Sequence, residues 1–289
     1  MLEKVDLFDK TILITGASDG IGKETAMALS QMNAQRVIMA CRASEKSERA
    51  FLDISSKKAN VILEHIDLSD LASVREFVNR ILQKKIRLDV LINNAGVILS
   101  ERSVTIDGFE MQFATNFLGH FLLTELLLKK NLFNNKARII NLSSHAMLFG
   151  KIDFEDIHFQ DRKYSGWKAY TQSKLANVMY ANYLNRTYAH ITSYSVHPGM
   201  VRTRFANNSG LFHVLDMIFY PLFYLLSKSP SEGAATSIYL ASSPNVEDQG
   251  GIYWFNCKPF TLFKSEESHD EKIQEQLYIY SKKSVERYL

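Results

Sequence analysis

Short apolar runs alternate with longer amphipathic stretches along most of the chain. The first run, Thr11-Ile12-Leu13-Ile14-Thr15, is unbroken and rich in β-branched residues, and a glycine cluster follows it at once. A run of this length bounded by turn residues reads as a strand covered on both faces. Similar runs at 36–40, 61–65, 89–92, 138–142 and 192–196 predict five more strands, and 251–255 a seventh. Helical stretches at 20–32, 44–58, 70–84, 106–133 and 166–189 separate most of them. Strand alternating with helix implies right-handed parallel crossovers. The expected fold class is α/β, a single doubly wound Rossmann-type domain with a mostly parallel seven-stranded sheet. Such sheets take ligands beyond the carboxyl ends of their strands, so the polar residues there are the candidates for chemistry.

Nothing divides the 289 residues into two units: no linker, charge block or repeat interrupts them. One domain over 1–289 is expected, with a core at about 11–200, a lid at 203–228 and a C-terminal packing segment at 264–289. Hydrophobic residues at 46% and charged residues at 22% describe a globular chain. The net charge of +3, from 34 basic and 31 acidic residues, is balanced and dispersed, which argues against a nucleic-acid partner. Cys41 and Cys257 stand alone, without metal-binding spacing, so no metal is expected and a reducing compartment fits. The first six residues carry no apolar run; no signal peptide or N-terminal anchor is expected, and the expected location is cytoplasmic. The most apolar stretch, 211–226, is broken by Asp216 and Pro221 and is shorter than the ~20 residues of a spanning helix. It reads as a core helix, a lid over an apolar substrate pocket, or a membrane-dipping segment. The lid is favoured; peripheral contact with the endoplasmic reticulum or lipid droplets stays open.

The first strand runs into Gly16-Ala17-Ser18-Asp19-Gly20-Ile21-Gly22. A turn that lets a pyrophosphate approach its backbone needs glycine where a Cβ would obstruct, and the following helix offers unpaired N–H groups and the positive end of its dipole. Its spacing, G-x-x-x-G-x-G, differs from the usual dinucleotide fingerprint, and a plain βα turn is the alternative. The second strand ends at Arg42, where a dinucleotide site meets the adenosine ribose. An acidic residue there accepts from the 2′-hydroxyl; an arginine pairs with a 2′-phosphate. No Asp or Glu occurs until Glu45, which favours NADP(H), unless Arg42 is a solvated loop charge. Asp67 and Leu68 close the third strand as an adenine contact or the cap region of the next helix. Asn94, Ala95 and Gly96 close the fourth, where an ordinary turn is the alternative.

A tyrosine with a lysine four residues later can run alcohol–carbonyl chemistry, because i and i+4 share a helix face and an ammonium favours phenolate, lowering a pKa of ~10. The pattern occurs four times, at Tyr164/Lys168, Tyr170/Lys174, Tyr224/Lys228 and Tyr278/Lys282. Only the second opens a helix soon after a strand, the one ending in NLSS; the others read as surface or core tyrosines.

With TGASDGIG, NNAG, Asn116 in TNFLGH, NLSS, YTQSK and HPG in this order, the chain resembles the short-chain dehydrogenase/reductase family. GIGKETA, ACR, NFLGHFLLTELLL, SKLANV and KSPSEGA are similar to its retinol-dehydrogenase-like branch. The resemblance implies Tyr170 as general acid/base and Lys174 as the residue that lowers its pKa and holds the nicotinamide ribose. It implies Ser144 as the group positioning the substrate oxygen and Asn116 as holder of a relay water. Pro198, Gly199 and Thr203 would border the nicotinamide. It further implies NADP(H), a lipophilic retinoid, steroid or aldehyde-like substrate, and leaves a homodimer open. Two departures from the pattern are expected: the stretch 150–166 lengthens the gap between Ser144 and Tyr170, and no counterpart of the branch's common N-terminal anchor is expected. His120 and His145 read as structural. Asn116 and Ser144 also have bland readings, as an amide bonding to a neighbouring turn and a hydroxyl capping the backbone. The alternatives in function are a catalytically silent dinucleotide-binding protein and a reductase of a bulky ring such as a tetrapyrrole.

Overall fold

The protein is described by a computed structural model over residues 5–202, 227–262 and 265–289. Apolar runs with no polar interruption need cover on both faces, and the strands receive it. Strands β1 (Thr11–Thr15), β2 (Arg36–Cys41), β3 (Val61–His65), β4 (Leu88–Asn93), β5 (Phe133–Leu142), β6 (Ile191–His197), β7 (Tyr253–Phe255) and β8 (Lys258–Pro259) form one sheet. Their order is β3-β2-β1-β4-β5-β6-β7-β8, parallel throughout except for the β7–β8 pair. Side-chain alternation splits β1 between two cores. Leu13 joins a cluster with Phe77, Phe121, Met179 and Leu277, whereas Ile12 and Ile14 join Ala26, Ile54, Ile238 and Trp254 on the other face.

The helices are α1 (Gly20–Gln31), α2 (Glu45–Ser55), α3 (Leu71–Gln83), α4 (Met111–Phe113), α5 (Gly119–Lys129), α6 (Gly166–Thr187), α7 (Pro230–Ser242), α8 (Glu266–His269) and α9 (Glu271–Val285). Polar caps begin the first three: Asp19 accepts from Gly20 N, Ser44 from Ser47 N, and Asp70 from Ala72 N and Ser73 N. The sheet order reverses between β1 and β4, which places the ligand crevice of a doubly wound sheet beyond Thr15 and Asn93.

Among the described residues the sheet has eight strands rather than seven. The extra strand, β8, is two residues long and returns through Asn256 and Cys257, both at positive φ (53° and 57°). A two-residue hairpin turn with both central φ positive normally announces itself as Asn-Gly; Asn-Cys does not. The helix expected over 106–133 starts only at Met111, because Val104 and Glu110 bridge across a turn in which Gly108 takes φ 85°. A π-helical turn, Ala114–Leu118, then joins α4 to α5.

Among the described residues no helix is long and apolar enough to cross a membrane. The expected lid at 203–228, apart from Ser227 and Lys228, lies outside the described residues, as do Thr203, Tyr224 and the stretch 211–226.

Candidate active site

The glycine turn is built by close approach. Gly16 takes φ 68° and Gly20 φ 51°, a region costly for side-chain-bearing residues. A Cβ on Gly22 would lie 2.4 Å from the Gly16 carbonyl oxygen and 2.5 Å from Asn94 Nδ2. Asn94 ties this turn to the fourth strand: its Nδ2 donates to the carbonyls of Thr15 (2.7 Å) and Gly16 (3.3 Å). The Thr15 hydroxyl oxygen accepts from the backbone N–H groups of Asn94 (2.9 Å) and Ala95 (3.0 Å). Gly96 continues the same stretch. Ala17 is buried, and its backbone together with the Ser18 hydroxyl bonds the Cys41 thiol, which burial pushes up to about 11.

Arg42 follows β2 with its side chain exposed; its carbonyl accepts from Ser47 Oγ at 2.8 Å. Among the described residues no carboxylate reaches its guanidinium, since Glu45 pairs with Arg49 (3.3 Å). Asp19 pairs with Lys46 at 2.7 Å, which brings a second cation to the glycine turn. Lys46 was legible only as a charge four residues beyond Arg42; its nearness to Asp19 depends on how two separate turns meet. One oxygen of Asp67 accepts from the N–H (2.9 Å) and hydroxyl (2.6 Å) of Ser69, while Asp70 caps α3. Leu68 is buried, and its carbonyl faces Gly119, where a Cβ would come within 2.3 Å.

Ser144 sits at the end of β5 and caps a short 3-10 turn, His145–Phe149. Its hydroxyl is hydrogen-bonded to Tyr170 in the first turns of α6. Lys174, one turn on, is buried, donates from Nζ to the Leu142 carbonyl at 3.0 Å, and stands 5.6 Å from the centroid of the Tyr170 ring. Burial pushes the Tyr170 phenol up to about 12, with the Ser144 bond pulling the other way, and burial lowers Lys174 to about 8. The lowering of the phenol expected from the Tyr/Lys spacing is not seen: burial raises it, and the Ser144 bond is what opposes burial.

Asn116 lies in the π turn, fully buried. Its Oδ1 accepts from Val97 N (2.7 Å), and its Nδ2 donates to the Val97 carbonyl and to Ser173 Oγ (both 3.0 Å). Its own carbonyl accepts from His120 Nδ1 at 3.1 Å, which leaves His120 Nε2 to accept from the Thr15 hydroxyl at 2.8 Å. Burial lowers His120 to about 4, so it is a neutral connector between β1 and the π turn.

Pro198 and Gly199 follow β6; Gly199 takes φ 95° with the Lys228 side chain laid against it, and Lys228 Nζ donates to Asn256. Of the other tyrosine–lysine pairs, Tyr164 donates to Glu110 (2.9 Å) and Tyr278 to Glu125 (3.1 Å), both away from Ser144. Nothing in the sequence pattern marks Trp167, whose ring meets that of Tyr170, or Phe149, whose ring meets Trp167.

A doubly wound sheet carrying serine, tyrosine and lysine together at its carboxyl edge defines a Rossmann-type oxidoreductase. The short chain dehydrogenase model matches residues 10–211, and the chain belongs to that family, whose members use nicotinamide dinucleotides. It is 41% identical over 288 residues to human retinol dehydrogenase 13, covering 98% of this chain and 86% of the relative. It is 42% identical over 278 residues to mouse retinol dehydrogenase 12, covering 95% and 85%. Among solved structures, an uncharacterized protein from Mycobacterium Paratuberculosis superposes with a TM-score of 0.78 at 32% identity, covering 98% and 96%. NADPH-bound carbonyl reductase from chicken fatty liver shares the fold, with a TM-score of 0.65 at 21% identity, covering 90% and 97%.

Proposed function

We propose that the protein is an NADP(H)-dependent oxidoreductase that interconverts a lipophilic alcohol and carbonyl, with Tyr170 as general acid/base. The observation that carries this reading is the hydrogen bond between Tyr170 and Ser144, with the Lys174 ammonium beside the phenol ring. The retinol dehydrogenases to which the chain is similar support a retinoid, steroid or aldehyde-like substrate.

The residues fit a phosphorylated dinucleotide. The turn 16–22 presents glycines where backbone must come close, and the positive end of α1 follows it. Arg42 has no carboxylate partner among the described residues, and Lys46 adds charge nearby, which suits a 2′-phosphate. Asp67, Leu68, Asn94, Ala95, Gly96, Pro198, Gly199 and Thr203 would complete the binding surface. When bound, the nicotinamide supplies or takes up hydride.

Tyr170, protonated at neutral pH and made less acidic still by burial, donates its proton to the carbonyl oxygen during reduction. Ser144 holds that oxygen in place. Lys174 keeps positive charge beside the phenol and binds the ribose hydroxyls. Asn116 contributes to the relay through the second lone pair of its carbonyl, which already accepts from His120 Nδ1, since its side chain is spent on Val97 and Ser173.

Replacing Tyr170 by Phe tests the assignment. Turnover of retinal with NADPH is expected to fall by about 100-fold or more, while NADPH binding, followed by nucleotide fluorescence, is retained. Activity that survives the substitution removes the phenol from its role.

A further inference from the structure

Two large apolar rings stand in the open beside this site. Phe149 is 75% exposed and Trp167 48% exposed. Such rings are normally buried, and an exposed adjoining pair calls for a binding explanation. Their rings meet at 6.4 Å between centroids, and Trp167 meets Tyr170 at 6.3 Å with the planes 35° apart. Ring contacts thus run from Phe149, the more exposed of the two, through Trp167 to Tyr170.

Chain connectivity ties both rings to the polar residues. Phe149 ends the 3-10 turn that Ser144 begins, and Trp167 lies three residues before Tyr170 on α6, on the same helix face. Both segments are also held by close backbone contacts. A Cβ on Gly150, next to Phe149, would lie 2.6 Å from the Thr171 carbonyl oxygen of α6; one on Gly166, next to Trp167, would lie 2.0 Å from the Leu99 carbonyl oxygen. The backbone beside each ring is therefore packed closely against a neighbouring segment. Neither ring belongs to either core.

We propose that Phe149 and Trp167 form an aromatic rail that receives the apolar body of the substrate while its oxygen-bearing end meets Tyr170 and Ser144. The rail rests on the oxidoreductase reading of Tyr170, and its continuity with that ring is what selects substrate as the occupant. It sets the preference for long apolar carbonyls over short ones. Contact with a part of the substrate remote from the reacting carbon binds ground state and transition state alike, so the rail acts on KM rather than kcat.

The test compares retinal with propanal as substrates of the NADPH-saturated enzyme. Trp167→Ala and Phe149→Ala are expected to raise KM for retinal by about tenfold with kcat little changed, and to leave both constants for propanal as they were. Trp167→Phe restores most of the loss. Equal changes for both aldehydes, unchanged selectivity, or loss of binding to phospholipid vesicles without loss of selectivity would overturn the rail.

A binding measurement separates the rail from the reaction. The chain has two tryptophans, and the other, Trp254, is 2% exposed in the opposite core. A terminally brominated long-chain alcohol, which quenches only on contact, should saturably quench the wild type, more weakly Phe149→Ala, and not Trp167→Phe. Quenching of this pattern without turnover of either aldehyde would keep the rail and discard the oxidoreductase reading. Normal turnover of retinal with no quenching would do the reverse.

Discussion

Tyr170 and Tyr278 make nearly the same approach to a lysine four residues on, with the ammonium 5.6 and 5.7 Å from the ring centroid. Their surroundings separate them. Tyr278 donates to Glu125, which also accepts from Tyr180 at 2.7 Å, whereas Tyr170 is bonded to a serine at a strand end. Arg42 is a second case in which surroundings matter, because Glu45 pairs with Arg49 and, among the described residues, no carboxylate reaches the Arg42 guanidinium. Arg42→Asp should weaken NADPH far more than NADH in titrations; equal loss of both would refute the 2′-phosphate assignment. His197 provides a test by pH. Burial, then the neighbouring charges of His145, Lys228 and Lys174, lowers it to about 3. Between pH 6.5 and 3 the unfolded chain binds more protons at this position, so its contribution to stability is lost as pH falls. His197→Phe removes that loss, and from pH 7 to pH 5 it should gain about 2 kcal/mol relative to wild type. Urea midpoints at the two pH values measure the change, and a constant difference would show that the imidazole is not held neutral.

The element that carries most of the site's geometry is the helix broken by a π turn. Its extra residue sets Asn116 toward Val97 and Ser173, and π turns of this kind recur at functional sites. Gly119 then lets α5 close on Leu68, in the loop between β3 and α3. Gly119→Ala would drive a methyl group into that carbonyl, and a destabilisation of about 1–3 kcal/mol is expected from forced overpacking. Thermal or urea unfolding would register it; an unchanged midpoint would mean that α5 shifts freely. The same element delivers His120 to Thr15, so a displacement of α5 also reaches the glycine turn.

At the scale of the molecule, two cores clamp the sheet, and α9 completes one of them. Leu277 and Val285 are buried there, Tyr278 stacks on Tyr183 at 4.2 Å, and Glu125 is held by phenols from α6 and α9, its pKa raised by burial. Leu277→Ala should cost about 2–5 kcal/mol by opening a cavity, with KM for NADPH unchanged at temperatures where the variant is folded. A changed KM would mean that α9 also shapes the cofactor site.

Local chemistry decided much of this in advance. Unbroken β-branched runs can be covered only on both faces, so β1 and β3 fall at 11–15 and 61–65 as expected from pattern alone. Turn glycines and capping residues are equally local, and so the turn after β1 was legible. Beyond the reach of pattern were the π turn, the hairpin through Asn256 and Cys257, the pairing of Lys46 with Asp19, and the line of rings from Phe149 to Tyr170. Each depends on segments far apart in the chain, or on a backbone conformation that its residue types do not prefer. The acidity of Tyr170 belongs with these: spacing supplies the lysine, but only the assembled fold supplies the burial that raises the phenol and the Ser144 bond that opposes it.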